Sequence, residues 1–299
     1  MKQAILASLL LLLTASLANG EDSAIIAPGA KVEKLADGFQ FTEGPSVDAE
    51  GNVFFTDQPN NRIHKWSIAG KLSTFLEPAG RANGLCFDQQ GNLWACADEL
   101  NELWRIDMKT GQHQVLVKDY QGKLLNAPND VWARPDGGVY FTDPFYKRPY
   151  WKRGESEQDQ QAVYFLPAAG KPLARVTNDL KQPNGLVGSP DGKTLYVADI
   201  GDNKTFAYDI QAAGGLTNKR LFCALGSDGM TLDEQGNVYL TGKGVIVFDK
   251  SGKKIEQIDI PEGWTANVCF GGREMRTLFI TAGQGLYALA MKVKGAARQ

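Results

Sequence analysis

Residues 129–144, NDVWARPDGGVYFTDP, combine an apolar strand pattern, a Pro-Asp-Gly-Gly turn and a second apolar strand. Glycine supplies the positive φ that tight hairpins need, and the residues after it are aromatic or β-branched, as half-buried strands prefer. The stretch therefore predicts a β-hairpin. Related phrases occur five more times: GPSVDAEGNVFFTDQ from Gly44, NGLCFDQQGNLWACAD from Asn83, NGLVGSPDGKTLYVAD from Asn184, DGMTLDEQGNVYLTG from Asp228 and NVCFGGREMRTLFITA from Asn267.

The spacing of these phrases predicts the fold. Their starts are 39 to 55 residues apart, and further short strand candidates follow each hairpin. A period in the forties with several strands per repeat is typical of a β-propeller with four-stranded blades. We therefore expect an all-β protein in which residues 21–299 form a single six-bladed propeller.

Closure of the ring is expected to use both ends of this domain. The last phrase, Asn267 to Lys292, holds only three strand candidates, so a fourth strand must come from elsewhere. Residues 31–35 are the obvious donor, and closure would remove exposed sheet edges. The N-terminal strand is thus predicted to join the C-terminal blade.

The first 20 residues, MKQAILASLLLLLTASLANG, are typical of a cleaved secretory signal peptide. Their apolar run is too short to span a bilayer, so we expect no membrane association after cleavage and a periplasmic or secreted protein. The formal net charge of −2 gives no reason to expect binding to nucleic acid. The oligomeric state stays open.

Four cysteines are present, Cys86, Cys96, Cys223 and Cys269. A bridge between Cys86 and Cys96 is conceivable because they lie on the two strands of one predicted hairpin. The favoured interpretation is that all four are small buried hydrophobic residues.

One blade carries an insertion between Asp143 and Val163. A long polar and aromatic segment in a compact repeat protein is usually a functional loop or a disordered one. Its aromatic residues, Phe145, Tyr146, Tyr150 and Trp151, favour a lid or specificity loop.

Residues at equivalent points of the blades lie at the same radius from the axis, so their side chains can converge. Those at the hairpin starts include Glu43, Asn129, Asn184 and Asp228, which offer only oxygen atoms as ligands. That set suits a hard divalent cation and favours Ca²⁺. The alternative is that such residues bond local backbone in turns, which we expect for Asn83 and Asn267.

Other polar residues are given structural interpretations. Most of the aspartates that end second strands are expected to be turn or packing residues: Asp57, Asp98, Asp143 and Asp199. The two histidines, His64 and His113, show no metal-ligand spacing, which disfavours Zn²⁺.

Several short motifs resemble the gluconolactonase, regucalcin and senescence marker protein family. They are TEGP at 42–45, PNDV at 128–131, YFTDP at 140–144, QPNGL at 182–186, LYVAD at 195–199 and GSDGM at 226–230. The resemblance covers nearly the whole chain after the leader. It implies a six-bladed propeller with one divalent cation, usually Ca²⁺, held by Glu43, Asn129, Asn184 and Asp228. Where regucalcin-type members carry an arginine that contacts sugar, this chain has Ala127.

The resemblance implies hydrolysis of a sugar lactone, a small-molecule substrate. Asp228 would be the catalytic general base, Asn129 would also contact substrate, and Tyr146 or Trp151 would cover the sugar. One alternative is a phosphotriesterase-like hydrolase that uses the same site. Another is a Ca²⁺-dependent binding propeller without turnover, because a fold alone does not fix a function.

Overall fold

Six four-stranded antiparallel sheets form the molecule, and the predicted six-bladed all-β propeller is confirmed. The computed structural model describes residues 23–168 and 172–296, so the predicted leader at residues 1–20 lies outside the described residues. Among the described residues, no helical segment has the length and apolar character that a membrane crossing requires.

The strands follow one another blade by blade, from the axis outward. Strand β1 (Glu33–Ala36) precedes the first blade, which comprises β2 (Thr42–Val47), β3 (Val53–Asp57), β4 (Arg62–Trp66) and β5 (Leu72–Leu76). The second comprises β6 (Ala82–Phe87), β7 (Leu93–Ala97), β8 (Glu102–Ile106) and β9 (His113–Val117), and a small hairpin follows it, β10 (Asp119–Tyr120) with β11 (Lys123–Leu124). The third comprises β12 (Val131–Ala133), β13 (Val139–Asp143), β14 (Ala162–Leu166) and β15 (Ala174–Arg175).

The remaining blades follow the same order. The fourth comprises β16 (Pro183–Gly188), β17 (Thr194–Asp199), β18 (Lys204–Ile210) and β19 (Leu216–Cys223). The fifth comprises β20 (Met230–Leu232), β21 (Val238–Gly242), β22 (Gly244–Phe248) and β23 (Lys254–Ile258). The sixth comprises β24 (Thr265–Gly271), β25 (Thr277–Ala282) and β26 (Gly285–Ala290), with β1 as its outer strand.

The predicted closure by the N-terminal segment is therefore confirmed. Strand β1 pairs with β26 in antiparallel fashion, with Glu33 opposite Ala288 and Lys34 opposite Tyr287. The strand occupies residues 33–36, one or two positions later than the donor segment expected at 31–35.

The same hydrogen-bond arrangement closes three of the inner hairpins. In the first, Oδ1 of Asp48 accepts the backbone N–H of Asn52 at 2.8 Å and Oδ2 accepts its side-chain amide at 2.7 Å. Asp88 and Asp233 bind their partners Asn92 and Asn237 in the same way. The Asp-x-x-Gly-Asn pattern thus fixes the turn locally, because an aspartate side chain satisfies backbone donors that the turn leaves unpaired.

The hydrophobic core lies between neighbouring blades. Every residue of the innermost strand β2 is buried, whereas the outermost strand β5 is exposed over much of its length. One cluster joins Phe54 and Ile63 of the first blade to Phe87 and Trp104 of the second. Each blade therefore buries its faces against its neighbours, as a closed repeat structure requires.

Candidate active site

The four predicted ligands come to one end of the innermost strands. Glu43 and Asn184 lie within β2 and β16, while Asn129 and Asp228 stand two residues before β12 and β20. We call this set, Glu43, Asn129, Asn184 and Asp228, the axial residues. All are buried except Asp228, which is partly accessible.

Two axial residues are in direct contact. Nδ2 of Asn184 donates to Oδ1 of Asp228 at 2.8 Å and also to the hydroxyl oxygen of Tyr146 at 2.8 Å. The other carboxylate oxygen of Asp228 accepts the indole N–H of Trp264 at 2.6 Å. Asn184 and Asp228 belong to neighbouring blades, so the ring itself sets their separation.

The two axial carboxylates lie close enough to oppose each other's ionisation. Burial raises the pKa of Glu43 well above its usual value, the charge of Asp228 raises it further, and the backbone N–H of Gly44 opposes the shift. Burial raises the pKa of Asp228 to about 6, against the hydrogen bonds from Trp264 and Asn184 and the nearby charge of Arg148. A cation between these groups would offset both desolvation and repulsion.

The donor set fits a hard cation. Oδ1 of Asn184 is buried and has no hydrogen-bond partner among the described residues. Within residues 23–168 and 172–296, no three His, Cys, Asp or Glu side chains are grouped so that they alone could hold a metal ion. The site instead combines two carboxylates with two amide groups, which is the oxygen chemistry that Ca²⁺ accepts. The axial residues are the ones that would hold it.

The two aromatic residues proposed to contact substrate occupy different places. Tyr146 stands at the axial site through its bond with Asn184. The indole N–H of Trp151 donates to the carbonyl of Asp98 at 3.0 Å, and the guanidinium of Arg153 lies over its ring. No described hydrogen bond joins Trp151 to an axial residue, so the structure gives it a place in the base of the insertion.

Three further residues reach the site that sequence reasoning did not select. Trp264 binds Asp228, and the buried carboxylate of Asp130 lies near enough to raise the pKa of Glu43. Asn267 was expected to act only locally. Its Oδ1 does accept the N–H of Val268 at 2.8 Å, but its side chain also lies near enough to Glu43 to lower the pKa of that carboxyl. The sequence signal that could have indicated this role is the position of Asn267 at the start of the sixth hairpin.

Among the described residues, the cysteines form no disulfide, and both histidines pack against aromatic rings. No disulfide joins the four cysteines, all of which lie in the described part of the chain. His64 packs between Phe39 and Phe55, and His113 stacks on Trp104. Neither ring contacts an axial residue in the described contacts.

Comparison with known proteins places this geometry in context. The family model described as SMP-30/Gluconolactonase/LRE-like region matches residues 41–284. A gluconolactonase of Zymomonas mobilis is 30% identical over 301 residues, covering 91% of this chain and 84% of the relative.

Solved structures show the same similarity. A gluconolactonase of Xanthomonas campestris superposes with a TM-score of 0.83 at 33% identity, covering 89% of this chain and 91% of that one. A calcium-binding regucalcin of Agrobacterium tumefaciens superposes with a TM-score of 0.73 at 21% identity, covering 90% and 95%. The second likeness concerns the fold alone.

Proposed function

Because the chain belongs to the SMP-30/Gluconolactonase/LRE-like family and is a lactone hydrolase, we propose that it hydrolyses a sugar lactone at the axial residues, with the help of a divalent cation. One observation carries this proposal: beside the carboxylate of Asp228, the amide oxygen of Asn184 is buried and has no hydrogen-bond partner among the described residues. Such a group is costly unless it binds something.

Ca²⁺ is the cation that we propose. Neutral amide oxygens and carboxylates in a flexible arrangement suit Ca²⁺, whereas Zn²⁺ would favour His or Cys. The name of the Agrobacterium tumefaciens regucalcin as a calcium-binding protein is consistent with this choice. When bound, the cation would act as a Lewis acid on the lactone carbonyl.

The chain's own residues would orient and deprotonate water. The carboxylate of Asp228 is held between Asn184 and Trp264, which fixes its direction. As a general base it would take a proton from water as the water oxygen bonds to the carbonyl carbon. The ring C–O bond then breaks and the alkoxide oxygen takes up the proton that Asp228 had accepted, which gives an open-chain hydroxy acid and restores the carboxylate. Tyr146 would border the sugar at Asn184, and Asn129 would complete the rim.

The test is acid release from glucono-δ-lactone and a panel of other aldonolactones. The protein is assayed after chelation and again after Ca²⁺ is restored. We expect activity to vanish on chelation and to return with Ca²⁺. Turnover that survives chelation would contradict the cation's role, and turnover of organophosphate esters alone would contradict the substrate class.

Substitution of an axial carboxylate gives the sharper test. We expect Glu43→Gln to lower kcat/KM by ~10²-fold or more, since it removes a charge that would hold the stabilising cation. Calorimetric titration should show weaker Ca²⁺ binding in the same variant. Glu50→Gln is the matched control, because Glu50 is an exposed carboxylate on the same blade. Equal activity of the two variants would count against the site.

We also propose that the protein acts in the periplasm or outside the cell. The composition of residues 1–20 supports this location. Mass spectrometry of the protein recovered from a periplasmic extract should show a product that begins near residue 21, whereas a full-length cytoplasmic product would contradict the proposal.

A further inference from the structure

The second strands of four blades end in, or are followed by, an aspartate, and three of these carboxylates have one shared task. Each accepts two backbone N–H groups from the segment that enters the innermost strand of its own blade. The pairs are Asp57 with Gln40 and Phe41, Asp143 with Asn126 and Ala127, and Asp199 with Lys181 and Gln182. These bonds, at 2.8 to 3.2 Å, tie the top of each blade together.

Asp98 departs from this pattern. In its blade the entering segment is bound by Asn61 instead, whose Oδ1 accepts the N–H of Ala79 at 2.9 Å and that of Arg81 at 2.7 Å. Asp98 therefore does not accept the backbone N–H groups of the entering segment, as the other three aspartates do. Asp98 is nevertheless only 1% exposed, so its carboxylate must find other partners.

The partners of Asp98 come mainly from the insertion of the third blade. Its Oδ2 accepts Nε of Arg148 at 2.7 Å and the hydroxyl of Tyr150 at 2.9 Å. The side-chain amide of Gln58 donates to the same oxygen at 2.7 Å. The indole N–H of Trp151 donates to the backbone carbonyl of Asp98. One buried residue of the second blade thus accepts hydrogen bonds from three residues of the insertion, Arg148, Tyr150 and Trp151.

The same contacts lead to the axial site. The guanidinium of Arg148 lies over the ring of Tyr146, 5.3 Å from its centroid. The hydroxyl oxygen of Tyr146 in turn accepts a hydrogen bond from Nδ2 of Asn184. Asp98 is therefore linked to an axial residue through two side chains of the insertion.

We propose that Asp98 is a positioning residue that holds the insertion, residues 144–161, over the axial site and so sets the place of Tyr146 beside the bound lactone. The effect on substrate rests on the proposed function, but the holding of the insertion does not. Charge-assisted hydrogen bonds to a buried carboxylate are strong enough to order such a segment. Loss of this anchor leaves the ring and the axial carboxylates in place.

Limited trypsin digestion without any lactone tests the holding directly. The insertion contains Lys147, Lys152 and Arg153 as cleavage sites. In Asp98→Asn we expect cleavage within the insertion to be roughly tenfold faster than in the wild type, because the local opening equilibrium shifts. Asp159→Asn is the matched control, since Asp159 is a carboxylate in the same insertion that pairs with Arg175 at the surface. Cleavage of Asp98→Asn at the wild-type rate would overturn the proposal.

Arg148→Gln approaches the same contact from the insertion and guards against misfolding of the first variant. We expect it to be cleaved faster than the wild type, and the acceleration in the double variant to be smaller than the two single effects combined, because both changes break the Asp98–Arg148 contact. Additive acceleration in the double variant would contradict a shared contact. Thermal unfolding of each variant shows whether the ring itself is intact.

Kinetics then separate positioning from a general structural effect. With a sugar lactone, Asp98→Asn should raise KM by roughly tenfold while kcat changes by about twofold or less. The reason is that the free energy needed to order the insertion then reduces the free energy of substrate binding. A fall in kcat with unchanged KM and unchanged cleavage would overturn the inference and leave the axial mechanism standing. Faster cleavage in a protein that hydrolyses no lactone would support the inference and contradict the proposed function.

Discussion

Small residues beside the axial side chains allow neighbouring blades to approach closely. Glycine follows three of the four axial residues, at Gly44, Gly185 and Gly229. At Gly44, where φ is 42°, an added Cβ would lie 2.1 Å from the carbonyl oxygen of Asn83. At Gly185 it would lie 2.8 Å from the carbonyl oxygen of Asp228. The absence of a side chain therefore brings Asn184 within reach of Asp228.

Gly185→Ala should separate these two axial residues. The added methyl group meets backbone atoms, which cannot rotate away, so we expect a loss of about 1–3 kcal/mol of stability and roughly tenfold weaker Ca²⁺ binding. Gly154→Ala is the control, because its Cβ would meet only the end of Lys147 at 3.9 Å. Calorimetric titration and urea unfolding measure the two effects, and unchanged Ca²⁺ affinity would contradict the argument.

His64 gives a pH dependence of stability. Burial lowers its pKa from 6.5, and Arg62 lowers it further, while the charges of Asp57 and Glu77 oppose the shift. The folded state thus prefers the neutral ring, so stability falls as pH drops below about 6.5, where the unfolded chain takes up a proton first. We expect the difference in melting temperature between about pH 7.5 and 5.5 to change in His64→Gln, with the variant losing less on acidification. An identical difference in both proteins would refute this.

Sequence reasoning selected the axial residues because three of them stand at the start of a repeated phrase and Glu43 stands one residue before another. It did not select Trp264, because this residue does not stand at a hairpin start. Its indole reaches Asp228 only through the arrangement of the fifth and sixth blades. It did not select Asp130 because the repeated hairpin-start position is occupied by its neighbour Asn129. Convergence at the axis can be deduced from a repeat, whereas a contact made by a connecting segment cannot.

At the scale of elements, the hairpins were predictable since their turns are determined locally. The insertion was recognised as an insertion, but its conformation depends on Asp98, which lies about 50 residues away in another blade. The availability of Asp98 for this contact in turn depends on Asn61, which adopts a φ of 59° in a turn of the first blade. Three separate segments must be assembled before that contact exists.

The fifth-blade turn should be more sensitive to loss of its aspartate than the first-blade turn, although both have the Asp-x-x-Gly-Asn pattern. Besides Asn237, Asp233 accepts the hydroxyl of Tyr239 at 2.9 Å, and Tyr239 is completely buried. Asp233→Ala therefore leaves a buried hydroxyl unpaired, so we expect it to cost about 1–3 kcal/mol more than Asp48→Ala, whose carboxylate closes its turn with Asn52. Urea unfolding of both variants measures the difference. In the background of Tyr239→Phe the excess should disappear, and its persistence would contradict this explanation.

At the scale of the whole molecule, closure depends on four residues of β1. Their partner β26 would otherwise present an unpaired edge, and Leu35 and Ala36 also pack against a cluster of Phe39, Phe55 and Leu286. We expect deletion of residues 1–37 to lower the melting temperature by about 5 °C or more and to promote self-association through β26. Deletion of residues 1–20 is the control. Thermal unfolding with light scattering measures both, and identical behaviour would show that the ring does not need β1.

The pairing of β1 with β26 also orders events in time. The ribosome makes Glu33 long before Ala288, which stands opposite it. Until then β1 has no partner, whereas every other blade can assemble from consecutive strands. A contact of such long sequence separation is slow to form and carries a large loop-closure cost. Synthesis through β26 therefore has to precede the pairing that completes the sixth blade.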